Sequence, residues 1–150
     1  MNNKTKKSYG IRADNSMRTW MQIFRSFNKI RAKELFYIQS FNLTMNQFQV
    51  LEVLYHKGNL NVSSITKLTM STPGNITVVL KNLKRDGYIN SLPNAQDKRA
   101  SILSITQSGR DVIEKLFPGH AKNFEEYFKA FSIEEMETLF NLLKKLQKSQ

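Results

Sequence analysis

Apolar residues recur along most of the chain at steps of three and four positions, which is the period of one face of an α-helix. Over residues 15–39 this stripe is rich in aromatic residues, and basic residues fall largely between its members. Pro118 lies inside a later stretch of the pattern and is expected to kink or interrupt that helix. Together with candidate capping residues, the pattern predicts helices that begin near residues 15, 44, 62, 72, 106 and 132.

Two segments, residues 88–91 and 101–105, instead have the composition of β-strands. A polar, partly basic loop over residues 92–100 separates them. A helix–turn–helix followed by a two-stranded hairpin has the layout of a winged helix. We therefore predict a mainly α fold, in which a winged helix-turn-helix domain with a two-stranded β wing is flanked by terminal helices.

Positive charge is concentrated in the first 110 residues. The chain has 23 Lys and Arg residues against 12 Asp and Glu residues, a net charge of +11 with a pI near 10.0. Residues 1–110 carry a net +12 and residues 111–150 a net −1. Such an excess indicates a polyanionic partner, with nucleic acid ahead of a membrane surface. The alternative is a basic protein whose charge only keeps it dispersed.

Absent residue types and motifs exclude several kinds of chemistry. The chain of 150 residues has no cysteine, which excludes disulfides, thiolate metal sites, a cysteine nucleophile and a thiol redox switch. It has two histidines and neither a glycine-rich phosphate loop nor a nucleophile elbow, so we expect no enzyme, metal or cofactor. No apolar run reaches the ~20 residues of a spanning helix, and the polar N-terminus is not a secretory signal, so we expect a cytoplasmic protein.

The helix that follows Thr72 is the first candidate for DNA recognition. Its apolar positions follow an i, i+4, i+7 rule and share one face, so that small polar and basic residues occupy the other. Small polar side chains can read base edges, and the helix N-terminus and lysines favour phosphate. An ordinary surface helix with a solvated basic face is the alternative. The candidate DNA-binding residues here are Ser71, Thr72, Gly74, Asn75, Thr77, Val78, Lys81 and Arg85.

The predicted hairpin tip adds Asp97, Lys98 and Arg99 to the candidates. An arginine at such a tip can enter a narrow minor groove, where the negative potential is strongest. An acidic residue two positions earlier can brace its guanidinium. A plain solvated hairpin is the alternative.

The terminal helices carry more apolar surface than a winged helix of about 60 residues can cover. The simplest partner for these stripes is a second copy of the chain, although packing within one chain is the alternative. A symmetric dimer would place two recognition helices about 34 Å apart, one DNA turn, and so predicts a pseudo-palindromic target. The candidate dimerisation residues are Met17, Phe27, Phe124, Phe128, Leu139 and Leu143.

An ordered set of motifs runs from Leu43 to Arg110. It comprises Leu43-Thr44, Gln47-Phe48, Leu51, Met70-Ser71-Thr72-Pro73, Ile76-Thr77, Leu83, Asp86-Gly87-Tyr88-Ile89, Asp97-x-Arg99 and Leu103-x-Ile105-Thr106-x-x-Gly109. In order and spacing this set resembles the DNA-binding domain of the MarR family of bacterial transcription regulators. The likeness extends more weakly to the flanking helices and covers about residues 15–147.

The resemblance implies a homodimer in which the terminal helices of the two copies interleave. It also implies that Arg99 reaches the minor groove and that Asp97 supports it. With the basic N-terminus, the resulting organisation is a flexible arm (1–14), a dimerisation helix (15–40), a winged-helix DNA-binding domain (41–106, with recognition helix 72–86 and wing 88–105) and dimerisation helices (107–147).

Members of this family respond to signals in two ways that bear on this chain. Some sense peroxide through a cysteine, which this chain lacks. Many others bind small aromatic or phenolic anions in a crevice between the dimerisation and DNA-binding parts. The candidate ligand-binding residues are Arg18, Trp20, Phe24, Tyr37, Phe41 and His56. The alternative is that these aromatic residues belong to the core, because aromatic residues at helical spacing more often pack in a core than line a pocket.

The sequence thus predicts a sequence-specific transcription regulator, a repressor, that binds pseudo-palindromic operator DNA as a homodimer and is modulated by a small aromatic ligand. An architectural or weakly specific DNA binder is the alternative within the same class. A helical protein-interaction module with an incidental basic face is the alternative from another class. A membrane-surface role for the basic arm ranks below both.

Overall fold

A computed structural model describes residues 7–93 and 101–149. It divides into two units, Met1–Glu34 and Leu35–Gln150, and the first helix contributes to both. The elements in chain order are α1 (Ile11–Gln39), α2 (Met45–Lys57), β1 (Leu60–Asn61), α3 (Val62–Leu68), α4 (Pro73–Arg85), β2 (Ile89–Pro93), β3 (Ser101–Ile105), α5 (Gln107–Phe128) and α6 (Ile133–Lys148).

Each helix from α2 to α6 begins at a polar side chain that accepts a hydrogen bond from a backbone N–H of the first turn. Such caps satisfy N–H groups that have no partner within the helix. In α2 and α6 the third helical residue, Gln47 or Glu135, bonds back to the cap and completes a capping box. All five of these caps lie at or next to a predicted helix start. The five capping residues are Thr44, Asn61, Thr72, Thr106 and Ser132.

The strands form one antiparallel sheet of order β1-β3-β2. Ile89 of β2 pairs with Ile105, and Leu60 of β1 pairs with Leu103. The predicted two-stranded wing is therefore extended by a third strand. Because β1 has only two residues, it shows no alternation that a sequence pattern could detect.

The core of the larger unit lies around α2, which packs against α3, α4, α5 and β3. Every helix and strand that surrounds α2 contributes aliphatic side chains to it, and these side chains are nearly inaccessible to solvent. This packing determines which face of α4 is buried and which is exposed to solvent. The fully buried residues include Ile38, Leu51, Leu54, Ile65, Ile76, Leu83, Ile89, Leu103, Ile113 and Leu116.

The predicted flexible arm over residues 1–14 is wrong for its last four residues, because α1 begins at Ile11. The Asp14 carboxylate accepts hydrogen bonds from the Ser8 hydroxyl at 2.6 Å and from the Tyr9 N–H at 3.1 Å. An acidic side chain in the first turn also interacts favourably with the helix dipole. Residues 1–6 of the predicted arm lie outside the described residues.

The sequence predicts that Pro118 kinks or interrupts the helix, and the interruption does not occur, since α5 runs without a break from Gln107 to Phe128. Proline removes one N–H from the helix ladder but leaves the remaining bonds available. The turns before Pro118 are held by tertiary contacts, since Ile113 and Leu116 are fully buried and the Tyr37 hydroxyl donates a hydrogen bond to the Leu116 carbonyl at 2.8 Å.

Candidate nucleic-acid interface

A tight turn joins α3 to α4 and sets the direction of α4. The Ser71 N–H donates to the Thr66 carbonyl at 3.1 Å, and the Met70 N–H donates to the Lys67 carbonyl at 3.3 Å. These two bonds close the end of α3 in the manner of a Schellman motif, which requires a left-handed residue. Met70 supplies it with φ 52°. Sequence reasoning missed this geometry because glycine or asparagine usually marks such a position.

α4 has the two faces that the sequence predicted. Ile76, Val79, Leu80 and Leu83 are buried against the core. The opposite face is exposed, and its apolar member Val78 retains 58% of its accessible surface. The exposed residues of that face are Gly74, Asn75, Thr77, Val78, Lys81 and Arg85.

Hydrogen bonds at the start of α4 determine what this end offers to a ligand. The Thr72 side chain accepts from the Asn75 N–H at 3.3 Å and caps the helix. The Thr77 hydroxyl donates to the Pro73 carbonyl at 2.9 Å, so it has only acceptor capacity left for a base. Ser71 is partly buried, and its hydroxyl lies 2.9 Å from that of Thr69.

The last turns of α4 are basic and are connected to the sheet. Lys84 Nζ donates to the Ser91 hydroxyl of β2 at 3.2 Å. Arg85 Nε donates to Asp86 Oδ1 at 2.9 Å, and this hydrogen bond and the Asp86 charge raise the pKa of Arg85. Arg85 and the exposed Lys81 therefore present cationic groups beside the polar end of the helix.

Hydrogen bonds close the base of the wing between the two residues that precede β2 and the N-cap residue of α5. The Thr106 hydroxyl donates to the Gly87 carbonyl at 2.7 Å, and the Thr106 N–H donates to the Tyr88 carbonyl at 3.0 Å. The predicted tip residues Asp97, Lys98 and Arg99 lie outside the described residues, so their role stays a prediction.

The candidate ligand-binding residues divide between the two units. In the first unit, Arg18, Trp20 and Phe24 are exposed, and the rings of Trp20 and Phe24 lie 6.2 Å apart. In the second unit, the rings of Tyr37 and Phe41 meet edge to face at 5.3 Å. The exposed His56 contacts the rings of Tyr55 and Phe117 at 5.2 and 4.9 Å.

The terminal helices expose much of their apolar surface. Not one of the 16 residues of α6 is buried. Of the candidate dimerisation residues, Met17, Phe27, Phe124 and Leu143 are exposed, whereas Phe128 and Leu139 are partly buried.

Two further properties concern only the described ranges 7–93 and 101–149. No helix there is both long and apolar enough to span a bilayer. The same ranges bring together no group of three or more His, Asp or Glu residues that could hold a metal ion.

Known proteins are similar to this chain in sequence. The MarR family model matches residues 43–101. The uncharacterized HTH-type transcriptional regulator YkoM of Bacillus subtilis is 33% identical over 137 residues, which are 89% of this chain and 85% of YkoM.

Two solved structures share the fold. A cysteine-to-serine mutant of MarR from E. coli, complexed with operator DNA, has a TM-score of 0.80 at 24% identity. The matched region is 89% of this chain and 96% of the MarR chain. BpsR of Bordetella bronchiseptica, whose DNA binding is regulated by 6-hydroxynicotinic acid, has a TM-score of 0.77 at 22% identity. The matched region is 87% of this chain and 98% of the BpsR chain. The chain, with its buried and exposed faces of α4 and its three-stranded wing, belongs to the MarR family of transcription regulators.

Proposed function

We propose that this chain is a homodimeric repressor that binds pseudo-palindromic operator DNA through α4 and the wing. The observation that carries the proposal is the division of α4 into a buried aliphatic face and an exposed face with Asn75, Thr77, Lys81 and Arg85. A helix with this division can enter the major groove while its other face remains in the core. E. coli MarR, which has the same fold, has been solved in complex with operator DNA, and this supports DNA as the partner.

The exposed apolar surface of α6 supports the homodimer. Phe140, Leu142 and Leu146 expose 62, 60 and 45% of their surface, and an exposed stripe of this kind favours a partner. A second copy is the simplest partner, because a two-fold axis covers the same surface on both chains and repeats α4 for a palindromic site.

A small aromatic ligand would regulate this dimer by binding more tightly to the conformation that does not fit DNA than to the one that does. A ligand shifts an equilibrium only through its different affinities for the two states. The control of BpsR by 6-hydroxynicotinic acid is a precedent on the same fold. The six residues that the sequence analysis named as ligand contacts stay predictions, three in each structural unit.

The direct test is selection of bound duplexes from a random pool, followed by affinity measurement on the enriched sequence. We expect an inverted repeat whose half-site centres lie about 10 base pairs apart. Enrichment without a motif would favour an architectural DNA binder. Failure to retain any duplex at low salt would favour the protein-interaction module.

Asn75→Ala is expected to weaken binding to the enriched duplex by about 30-fold or more, because each dimer loses two base contacts that cost ~1–3 kcal/mol each. Binding to a scrambled duplex should change little. Asn59→Ala, at an exposed position before β1, is the matched control and should bind both duplexes as the wild type does. Equal losses on both duplexes would contradict a reading role for Asn75.

Leu143→Glu is expected to shift the protein from dimer to monomer in sedimentation velocity, because it places a charge in the proposed apolar interface. Asn141→Glu makes the same change of charge at an exposed position on the opposite face of α6 and should leave the dimer intact. An unchanged dimer in the Leu143 variant would contradict the placement of α6 at the interface.

A further inference from the structure

Met70 combines two energetically unfavourable features, a strained backbone conformation and an exposed apolar side chain. Its φ of 52° lies in the left-handed region, where a residue other than glycine or asparagine is strained. Its side chain is also 85% exposed, although it is apolar. Glycine would satisfy the same turn without either cost, so backbone geometry alone does not explain a methionine here.

The conformation is held firmly by its neighbours. The bonds from Ser71 N–H to Thr66 and from Met70 N–H to Lys67 fix the turn on both sides. The Thr69 hydroxyl, which belongs to a buried side chain, donates to the Ile65 carbonyl at 2.8 Å. The Met70 side chain is therefore presented from a fixed backbone rather than from a loose loop.

The position of Met70 places it beside the end of α4 that is proposed to read DNA. Met70 borders an open groove of about 680 Å³ between α3 and α4, together with Val62, Lys67, Pro73 and Thr77. Thr77 belongs to the exposed reading face. An apolar side chain thus lies next to polar groups on the surface that would meet the major groove.

We propose that Met70 is a specificity residue that contacts the 5-methyl group of a thymine in each operator half-site. This inference rests on the proposed function. The thymine methyl is the apolar group that base pairs present in the major groove, and an unbranched thioether side chain adapts readily to such a contact. Thymine would be favoured over cytosine at that position because only thymine carries the methyl group.

The test replaces each thymine of the enriched duplex with deoxyuridine, which removes the methyl group and keeps the hydrogen-bonding edge. Affinities of the wild type, Met70→Gly and Met70→Leu are measured for every duplex. For the wild type, one symmetric pair of replacements should weaken binding by about 15-fold, since burial of one methyl contributes about fourfold per half-site. Met70→Gly should bind the methylated and unmethylated duplexes equally, and Met70→Leu should retain most of the discrimination.

Thermal unfolding separates this effect from misfolding. Met70→Gly relieves the left-handed strain, so its Tm should not fall below that of the wild type while its operator affinity falls. The same methyl discrimination in Met70→Gly as in the wild type would overturn the inference and leave the proposed function intact. A wild type that binds the methylated and unmethylated duplexes equally would overturn the inference alone. A wild type that does not distinguish the enriched duplex from a scrambled one would overturn both.

Discussion

Replacing Gly109 with alanine is expected to lower the free energy of unfolding by about 3 kcal/mol, because forced overpacking of a core costs this much. Gly109 lies buried in the first turn of α5. An added Cβ would lie 2.4 Å from the Tyr88 carbonyl oxygen and 2.8 Å from Ile105 Cγ1. The carbonyl cannot withdraw freely, because it accepts the hydrogen bond from the Thr106 N–H that joins the wing to α5.

Gly74→Ala provides the matched control for Gly109→Ala. An added Cβ at Gly74 meets no atom within 4 Å, and Gly74 lies in the first turn of α4. Alanine there should leave the stability unchanged or raise it by up to about 1 kcal/mol. Urea unfolding at one fixed protein concentration measures both variants. A Gly109→Ala variant within 1 kcal/mol of the wild type would contradict the close packing of the wing base against α5.

Lys81→Glu is expected to weaken binding to the enriched duplex by 100-fold or more at about 0.1 M salt, because each dimer loses two phosphate contacts and gains two repulsive charges. Lys81 is exposed on the same face of α4 as Asn75. Two lost contacts should reduce the slope of log affinity against log salt by about 2. Unlike Asn75→Ala, this variant should lose affinity for the enriched and scrambled duplexes alike.

Lys122→Glu makes the same change of net charge at an exposed position of α5 and serves as the control. It should retain most of the affinity and nearly all of the salt slope, because only long-range attraction is altered. Equal losses in the two variants would show that net charge, and not a contact from α4, determines the affinity.

Features with a local signal could be predicted from the sequence. The i, i+4, i+7 spacing of Ile76, Leu80 and Leu83 defines both faces of α4, since a helix of this period has only one way to bury them. Helix starts at Thr72 and Thr106 follow from hydroxyl side chains that can accept a first-turn N–H.

Features that depend on partners distant in sequence or on backbone geometry could not be predicted. β1 exists because Leu60 and Asn61 pair with β3, about 40 residues away. α5 continues across Pro118, and the buried side chains and the Tyr37 hydrogen bond that hold the preceding turn come from tertiary contacts. The left-handed turn at Met70 has no sequence signal at all, because its residue type disfavours that conformation.

The central claim is that α4 gives the protein a selective affinity for one DNA sequence. Fluorescence anisotropy of the enriched and scrambled duplexes over a salt series tests it most directly. We predict that the wild type binds the enriched duplex at least about 1,000-fold more tightly, with a salt slope of several units on both duplexes. Equal affinity for the two duplexes at every salt concentration, or no binding to either at low salt, would contradict the claim.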